Sequence, residues 1–216
     1  MRVAIITANT DIYKGTKANE SGEAVKLVAE EAGLEVVFMR ALPLDREVLS
    51  TVMKRMTDGK TADLILTTGG VSVGEKDLLP GVIENLTGNV LFHGIQVKPG
   101  MPTMLSVVKG TPVLSLSGNP FAVEALFEVL AGGYLTDMEA GRYLQKNQMK
   151  ILKQTFVKTG KMKRIVKGRC DESGVYLPQI QKNGQLKNGI GSNCLVIFPE
   201  GERTYAEGEA VRVIRI

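Results

Sequence analysis

The chain has 216 residues, of which 44% are hydrophobic and 23% charged, with a formal net charge of +4. That length is one large domain or two small ones, and the composition is that of a globular protein able to bury a core. No apolar run approaches the roughly 20 residues of a membrane span. The single histidine, His93, argues against a Ser-His-Asp triad and against a histidine-based metal site.

Val3–Ala8 reads as a buried first strand, too short and too quickly polar for a signal peptide, so the expected location is cytoplasmic. A polar segment, Asn9–Asn19, follows. Ser21-Gly22 opens an amphipathic helix carrying Ala24, Val25, Leu27, Val28, Ala29 and Ala32, and Gly33 stops it. Leu34–Met39 is the next strand, Leu42-Pro43-Leu44-Asp45 a loop at its carboxyl end, and Glu47–Met56 a second helix. Ala62–Thr67 is a short apolar run of the kind a buried parallel strand makes. After it comes Thr68-Gly69-Gly70-Val71-Ser72-Val73-Gly74-Glu75-Lys76-Asp77. Asp77 is expected to cap a helix that tolerates Pro80 in its first turn and repeats Leu78, Leu79, Val82, Ile83 and Leu86 at helical spacing.

A strand, a glycine turn and a fresh helix N-terminus together suit an anion, because backbone N–H groups and the helix dipole face the ligand. The spacing matches neither Walker A nor G-x-G-x-x-G. A tight connection with a capping aspartate explains the stretch equally well. Leu91–Val97 reads as extended, ending at Lys98-Pro99-Gly100-Met101-Pro102. Thr103–Val108 and Pro112–Leu116 form a hairpin around Lys109-Gly110. Ser117-Gly118-Asn119-Pro120 then repeats the strand-loop-helix pattern, with a helix from Phe121 to about Leu130. The alternation argues an α/β three-layer sandwich with a mostly parallel sheet, its ligand loops beyond the carboxyl ends of the strands.

Residues 131–150 read as a boundary, with a short helix around Met138–Leu144. Beyond it Lys153–Lys158, Lys163–Arg169, Gly174–Leu177, Cys194–Phe198 and Ala210–Ile216 are short strand-like runs, which argues a small all-β barrel-like domain. The expected domains are 1–146 and 147–216. The second carries 13 Lys/Arg against 6 Asp/Glu, a net of +7, and the first a net of −3. The basic region lacks the interleaved aromatics of a nucleic-acid stacking platform, so a solvated basic face or attraction for a phosphorylated small ligand is the reading, with neither nucleic acid nor membrane as a partner. Cys170 and Cys194 lack metal-ligand spacing and are expected to be reduced.

Three segments resemble, in the same order, motifs of the molybdopterin molybdenumtransferase family, to which the C-terminal region of gephyrin belongs. Thr68–Asp77 is similar to its central motif, Lys98-Pro99-Gly100-Met101-Pro102 to its Lys-Pro-Gly-Lys-Pro segment, and Leu116-Ser117-Gly118-Asn119-Pro120 to its Leu-Pro-Gly-Asn-Pro loop. Asn193–Pro199 and Gly208–Val213 resemble its C-terminal β-domain. The resemblance covers nearly this whole chain but only the C-terminal half of the family's, so the chain looks like a truncated homologue without the N-terminal dimerisation and accessory domains.

The resemblance implies a molybdenum cofactor biosynthesis protein of the cytoplasm. It implies binding of molybdopterin or adenylylated molybdopterin, with Mg²⁺ and molybdate as further ligands and insertion of molybdenum as a transferase reaction. Asp77 and Lys98 match functional positions and are the catalytic candidates. Gly69, Gly70, Ser72, Gly74, Ser117, Gly118 and Asn119 match the pterin-holding loops. Asp11, Asp45 and Asp77 are the candidate metal ligands, carboxylates being the hard oxygen donors that Mg²⁺ takes. A homo-oligomer is expected, together with a separate subunit supplying the missing domains. Several family charges are thinned: Asn9-Thr10-Asp11-Ile12 stands for Gly-Asp-Glu-Leu, Asn19-Glu20-Ser21 for Asp-x-Asn, and Leu44-Asp45 for paired aspartates. Met101 replaces a lysine and Ser117 a proline. These losses favour a non-catalytic carrier or sensor as the alternative. Molybdopterin adenylyltransferase, with a similar Thr-Thr-Gly-Gly loop, is the further alternative.

Overall fold

A computed structural model describes residues 1–72, 74, 77–131, 147–178 and 191–216. They divide into two compact units, one of residues 1–95 and 100–127, the other of residues 96–99 and 128–216. The expected helix around Met138–Leu144 and the expected seam after residue 146 lie outside the described residues or at their edge.

The first unit is built on a six-stranded mixed sheet. Its strands are β1 (Arg2–Ala8), β2 (Glu35–Leu42), β3 (Leu64–Thr68), β4 (Asn89–His93), β6 (Met104–Val108) and β7 (Thr111–Leu116), in the order β2-β1-β3-β7-β6-β4. β2, β1, β3 and β7 run parallel, while β6 is antiparallel to both β7 and β4. The helices are α1 (Thr10–Tyr13), α2 (Glu20–Glu31), α3 (Arg46–Asp58), α4 (Leu79–Asn85) and α5 (Pro120–Leu126), the last continued by a π-helical turn, Phe127–Ala131.

Side chains alternate along each strand, so each face of the sheet collects its own layer. Ala4, Ile6, Ile65 and Val113 pack against Leu49, Met53 and Met56 of α3 and Leu79, Val82 and Ile83 of α4. Val3, Ile5, Leu64 and Leu66 turn to the opposite face and are buried, and there α2 packs on β1, β2, β3 and α5. The expected α/β layering holds.

Two expectations change. The polar segment after β1 contains α1, because Asn9 accepts hydrogen bonds from the Asp11 and Ile12 amides and starts a helical turn. The stretch read as one extended segment, Leu91–Val97, splits: β4 ends at His93, Gly94 takes φ +90°, and Val97–Lys98 forms a separate strand, β5.

Beyond Ala131, the described residues of the second unit form strands and turns. The unit comprises β5, β8 (Asn147–Ile151), β9 (Phe156–Lys158), β10 (Lys163–Cys170), β11 (Val175–Tyr176), β12 (Cys194–Phe198), β13 (Arg203–Tyr205) and β14 (Ala210–Arg215). One sheet runs β11-β10-β12-β14-β8 with β5 also on β10, and β9 pairs with β13. Phe198 stacks on Phe156 at 4.5 Å and meets Tyr205 at 4.7 Å between ring centroids. Lys158 is 1% exposed; its ammonium is satisfied by the Gly160 carbonyl at 2.8 Å and by the Gly201 carbonyl, which ties two turns together. Cys170 and Cys194 are buried free thiols in this core. Burial, reinforced by neighbouring Cys170, pushes the Cys194 thiol up to about 12, so it does not act as a thiolate near neutral pH.

Candidate functional site

Four parallel strands of the first unit end on one side of the sheet, and the ends of β1, β2 and β7 are each followed by a residue whose side chain caps a helix. After β1, Asn9 caps α1 and sets Asp11 in its first turn. After β2, Asp45 caps α3, its Oδ1 accepting from the Val48 amide at 2.9 Å. The Leu44 amide donates to Thr10 Oγ1 at 3.0 Å, so these two loops touch. After β7, Asn119 Oδ1 accepts from the Phe121 and Ala122 amides and Pro120 opens α5. The chain order reverses between β1 and β3, and that switch point is where ligands bind in open α/β sheets.

The loop after β3 lies at this point. Gly69 and Gly70 both take left-handed φ, +78° and +64°, which side chains disfavour. Each also sits against a neighbouring strand end. A Cβ on Gly69 would stand 2.7 Å from the Ala8 carbonyl oxygen, and one on Gly70 would stand 3.1 Å from Leu44 Cδ2. The Gly69 amide donates to the Leu116 carbonyl at 3.0 Å, and a Cβ on Gly118 would lie 3.7 Å from Gly69 Cα. Thus Gly69, Gly70 and Gly118 are brought together, with Ser117 and Asn119 flanking Gly118 in the chain and Ser72, half-buried, two residues past Gly70.

Asp77 does not cap α4. That helix begins at Leu79 behind Leu78, with no side-chain cap. Asp77 instead closes a turn with Gly74: its amide donates to the Gly74 carbonyl at 2.8 Å, and its Oδ2 accepts from the Gly74 amide at 3.1 Å. The turn offers its carboxylate a partner three residues back, and Pro80 supplies the preset φ that starts the helix.

Hydroxyls line the ends of the strands. On the α2 side Thr7 donates to Asn19 Oδ1 at 3.0 Å, Thr68 bonds Thr7 at 3.3 Å, and Ser21 bonds Thr68 at 3.1 Å. Asn19 also accepts from the Gly22 amide and so caps α2; here an amide closes the network. On the other face Thr67 and Ser115, neighbours in register across β3 and β7, are 0% exposed, and their hydroxyls have no partner. The hydroxyl of Ser117 is likewise buried and unpartnered. Buried hydroxyls left unpaired are rare, and three at one pair of strand ends fit a polar group absent from the protein itself.

Among the described residues no group of three or more His, Cys, Asp or Glu side chains stands close enough to hold a metal ion. Asp11, Asp45 and Asp77 are not gathered into a cluster, and two of them engage backbone amides of their own loops. As placed, these carboxylates do not fit a Mg²⁺ site. Lys98 belongs to the second unit, at the end of β5 in register with Arg164 of β10, and its peptide bond to Pro99 is cis. Met101 is 48% exposed.

Thr7, Asn19, Ser21, Thr67, Thr68, Ser115 and His93 were not among the expected site residues. A hydroxyl inside an otherwise apolar buried strand was the available signal for Thr67, Thr68 and Ser115, because a buried polar group needs a partner. Nothing local marks His93, whose partner is 22 residues away in the chain.

A family profile described as probable molybdopterin binding domain matches residues 4–137. The molybdopterin molybdenumtransferase of Staphylococcus aureus strain COL is 27% identical over 215 residues, which cover 97% of this chain and 51% of that one. The chain spans about half the length of the curated relatives it matches. A crystal structure of a molybdopterin biosynthesis moeA protein from a Pyrococcus species superimposes with a TM-score of 0.80 at 26% identity, covering 99% of this chain and 54% of that one. A molybdopterin biosynthesis enzyme MoaB of a Thermus species covers 66% of this chain and 99% of its own at 22% identity and a TM-score of 0.52, which bears on fold alone. With its profile match spanning more than half of the residues, the chain belongs to the family of probable molybdopterin-binding domains of molybdenum cofactor biosynthesis.

Proposed function

We propose that this chain binds molybdopterin or adenylylated molybdopterin at the converging ends of β1, β3 and β7. The observation that carries the reading is the contact of the two glycine loops, with Gly118 packed on Gly69 and Gly69 packed on Ala8. Bare backbone there admits a ligand's phosphate to amide groups without a side chain in the way. The unpartnered hydroxyls of Thr67, Ser115 and Ser117 support a polar ligand at the same strand ends.

Insertion of molybdenum from molybdate is the finer reading, and it asks for more than binding. Asp77 is engaged with Gly74, and the candidate carboxylates are unclustered. In our reading the chain alone is a binding module of the cytoplasm. Turnover draws, in this reading, on the part of the molybdenumtransferase relatives that this chain does not span, supplied in the test as a candidate subunit. Titration calorimetry with molybdopterin and with its adenylylated form tests binding, with saturable heat expected at one site per chain. AMP release in the presence of molybdate and Mg²⁺, by the chain alone and with the candidate subunit, tests turnover. AMP release by the chain alone would replace the binding-module reading with an enzyme; heat from neither pterin would remove the proposal.

A further inference from the structure

His93 ends β4, one of the two edge strands of the first sheet. Its Nε2 lies 2.7 Å from the carbonyl oxygen of Val71. A carbonyl only accepts, so Nε2 carries the hydrogen, in the neutral Nε2–H tautomer or in the imidazolium. Val71 directly follows the Gly69-Gly70 pair. Its side chain is 2% exposed and belongs to the core cluster beneath the sheet, while its carbonyl reaches the imidazole.

The geometry of the loop gives this bond its consequence. Two consecutive glycines lose more conformational freedom on ordering than any other pair of residues. Among the described residues, the backbone bonds that tie the loop to the rest of the unit are the Gly69 amide to the Leu116 carbonyl and the Leu79 amide to the Gly70 carbonyl. Both hold the glycines. Beyond Gly70, the bond from His93 meets the chain at Val71, just before Ser72 and the Gly74–Asp77 turn.

We propose that His93 is a positioning residue for the ligand loop: it fixes the Val71 carbonyl and so preorganises Ser72 and the Gly74–Asp77 turn before a ligand arrives. The inference rests on the reading that this loop binds the pterin. Preorganisation raises affinity by removing an ordering cost at binding. The imidazole meets the loop's backbone, so its effect on ligand passes through loop order.

Two substitutions test this. His93→Leu removes the donor, and His93→Gln restores an amide N–H at similar reach. Amide hydrogen exchange at Ser72 and Gly74 is measured on the unliganded protein. It is expected to quicken about fivefold or more in His93→Leu and to stay near wild type in His93→Gln, with β1 and β3 amides unchanged in both. Affinity for molybdopterin is expected to fall about tenfold in the leucine variant and to recover in the glutamine variant. Unchanged exchange in His93→Leu would overturn the tether. Faster exchange with unchanged affinity would overturn the positioning role. If wild type itself binds no molybdopterin, the ligand half of the inference falls with the proposed function, and exchange still decides the tether. If His93→Leu fails to fold, exchange faster than wild type in a folded His93→Gln counts against the bond, and wild-type exchange supports it.

Discussion

Gly118 faces Gly69 across the ends of β7 and β3, where an added Cβ would stand 3.7 Å from Gly69 Cα. That is ordinary van der Waals distance, and Gly118 is not among the glycines with left-handed φ. A methyl group is therefore tolerated by the protein but occupies the strip of bare backbone where the ligand is proposed to lie. Gly118→Ala is expected to fold with stability within about 0.5 kcal/mol of wild type. Its pterin Kd is expected to rise about tenfold, equivalent to roughly 1.4 kcal/mol. Calorimetry and thermal denaturation on the same preparation check both, and an unchanged Kd would take Gly118 out of the site.

Gly70 cannot serve the same purpose. From sequence, a valine there would be expected to intrude on the ligand. In the structure, its Cβ would meet Leu44 Cδ2 at 3.1 Å and Ala8 Cβ at 3.4 Å, from a backbone at φ +64°. Gly70→Val is thus expected to destabilise the fold itself, by about 1–3 kcal/mol for a non-glycine held in the left-handed region. Urea denaturation measures it; wild-type stability in this variant would mean that the loop relaxes freely.

The layered α/β unit was legible because periodicity and punctuation agreed. Leu49, Met53 and Met56 recur at helical spacing and do pack together under the sheet. Gly69-Gly70 and Ser117-Gly118-Asn119 do end strands. What was not legible depends on long-range pairing. Val97–Lys98 reads locally as the tail of an extended segment, yet it pairs with Lys163–Arg164, 66 positions on in each case. Asp77 reads as a helix cap from spacing alone, but in the folded chain it closes a turn on Gly74. The three candidate carboxylates share a rim by topology, but topology does not say that they meet.

Asp63 ties the start of β3 to the start of β1. Its Oδ2 accepts from the Arg2 amide at 2.7 Å and its Oδ1 from the Arg2 guanidinium at 2.8 Å. The side-chain hydrogen bond from Arg2, then its backbone amide, hold the Asp63 carboxyl below the ordinary value of 3.8. The folded chain therefore binds this proton less readily than the unfolded chain, so the stabilisation is present above the unfolded value and is lost as pH falls through the folded one. Both side chains are more than 40% exposed, so the effect is small and screened by salt. Asp63→Asn is expected to lower Tm slightly at neutral pH, with the gap to wild type closing as the pH is taken down past the ordinary value of 3.8 and through the lower folded one. A gap that is constant or widens with acid would contradict the assignment.

Asp77 separates binding from chemistry. Its Oδ2 accepts from the exposed Gly74 amide, and asparagine retains an oxygen that can accept the same bond. Asp77→Asn is therefore expected to keep the turn, to stay within about 0.5 kcal/mol of wild-type stability and to bind molybdopterin with nearly unchanged affinity. What it loses is the negative charge and the capacity to take a proton. If Asp77 acts on a reacting water when the chain is assayed together with the candidate subunit, AMP release should fall about 10²-fold or more, the usual contribution of a general base. The comparison is made at matched occupancy of adenylylated molybdopterin, with molybdate and Mg²⁺ present, so that a change in affinity cannot pass for a change in rate. The expected result is retained binding with lost turnover. Equal AMP release by wild type and variant would reduce Asp77 to the residue that shapes the Gly74 turn and leave the chemistry to other residues.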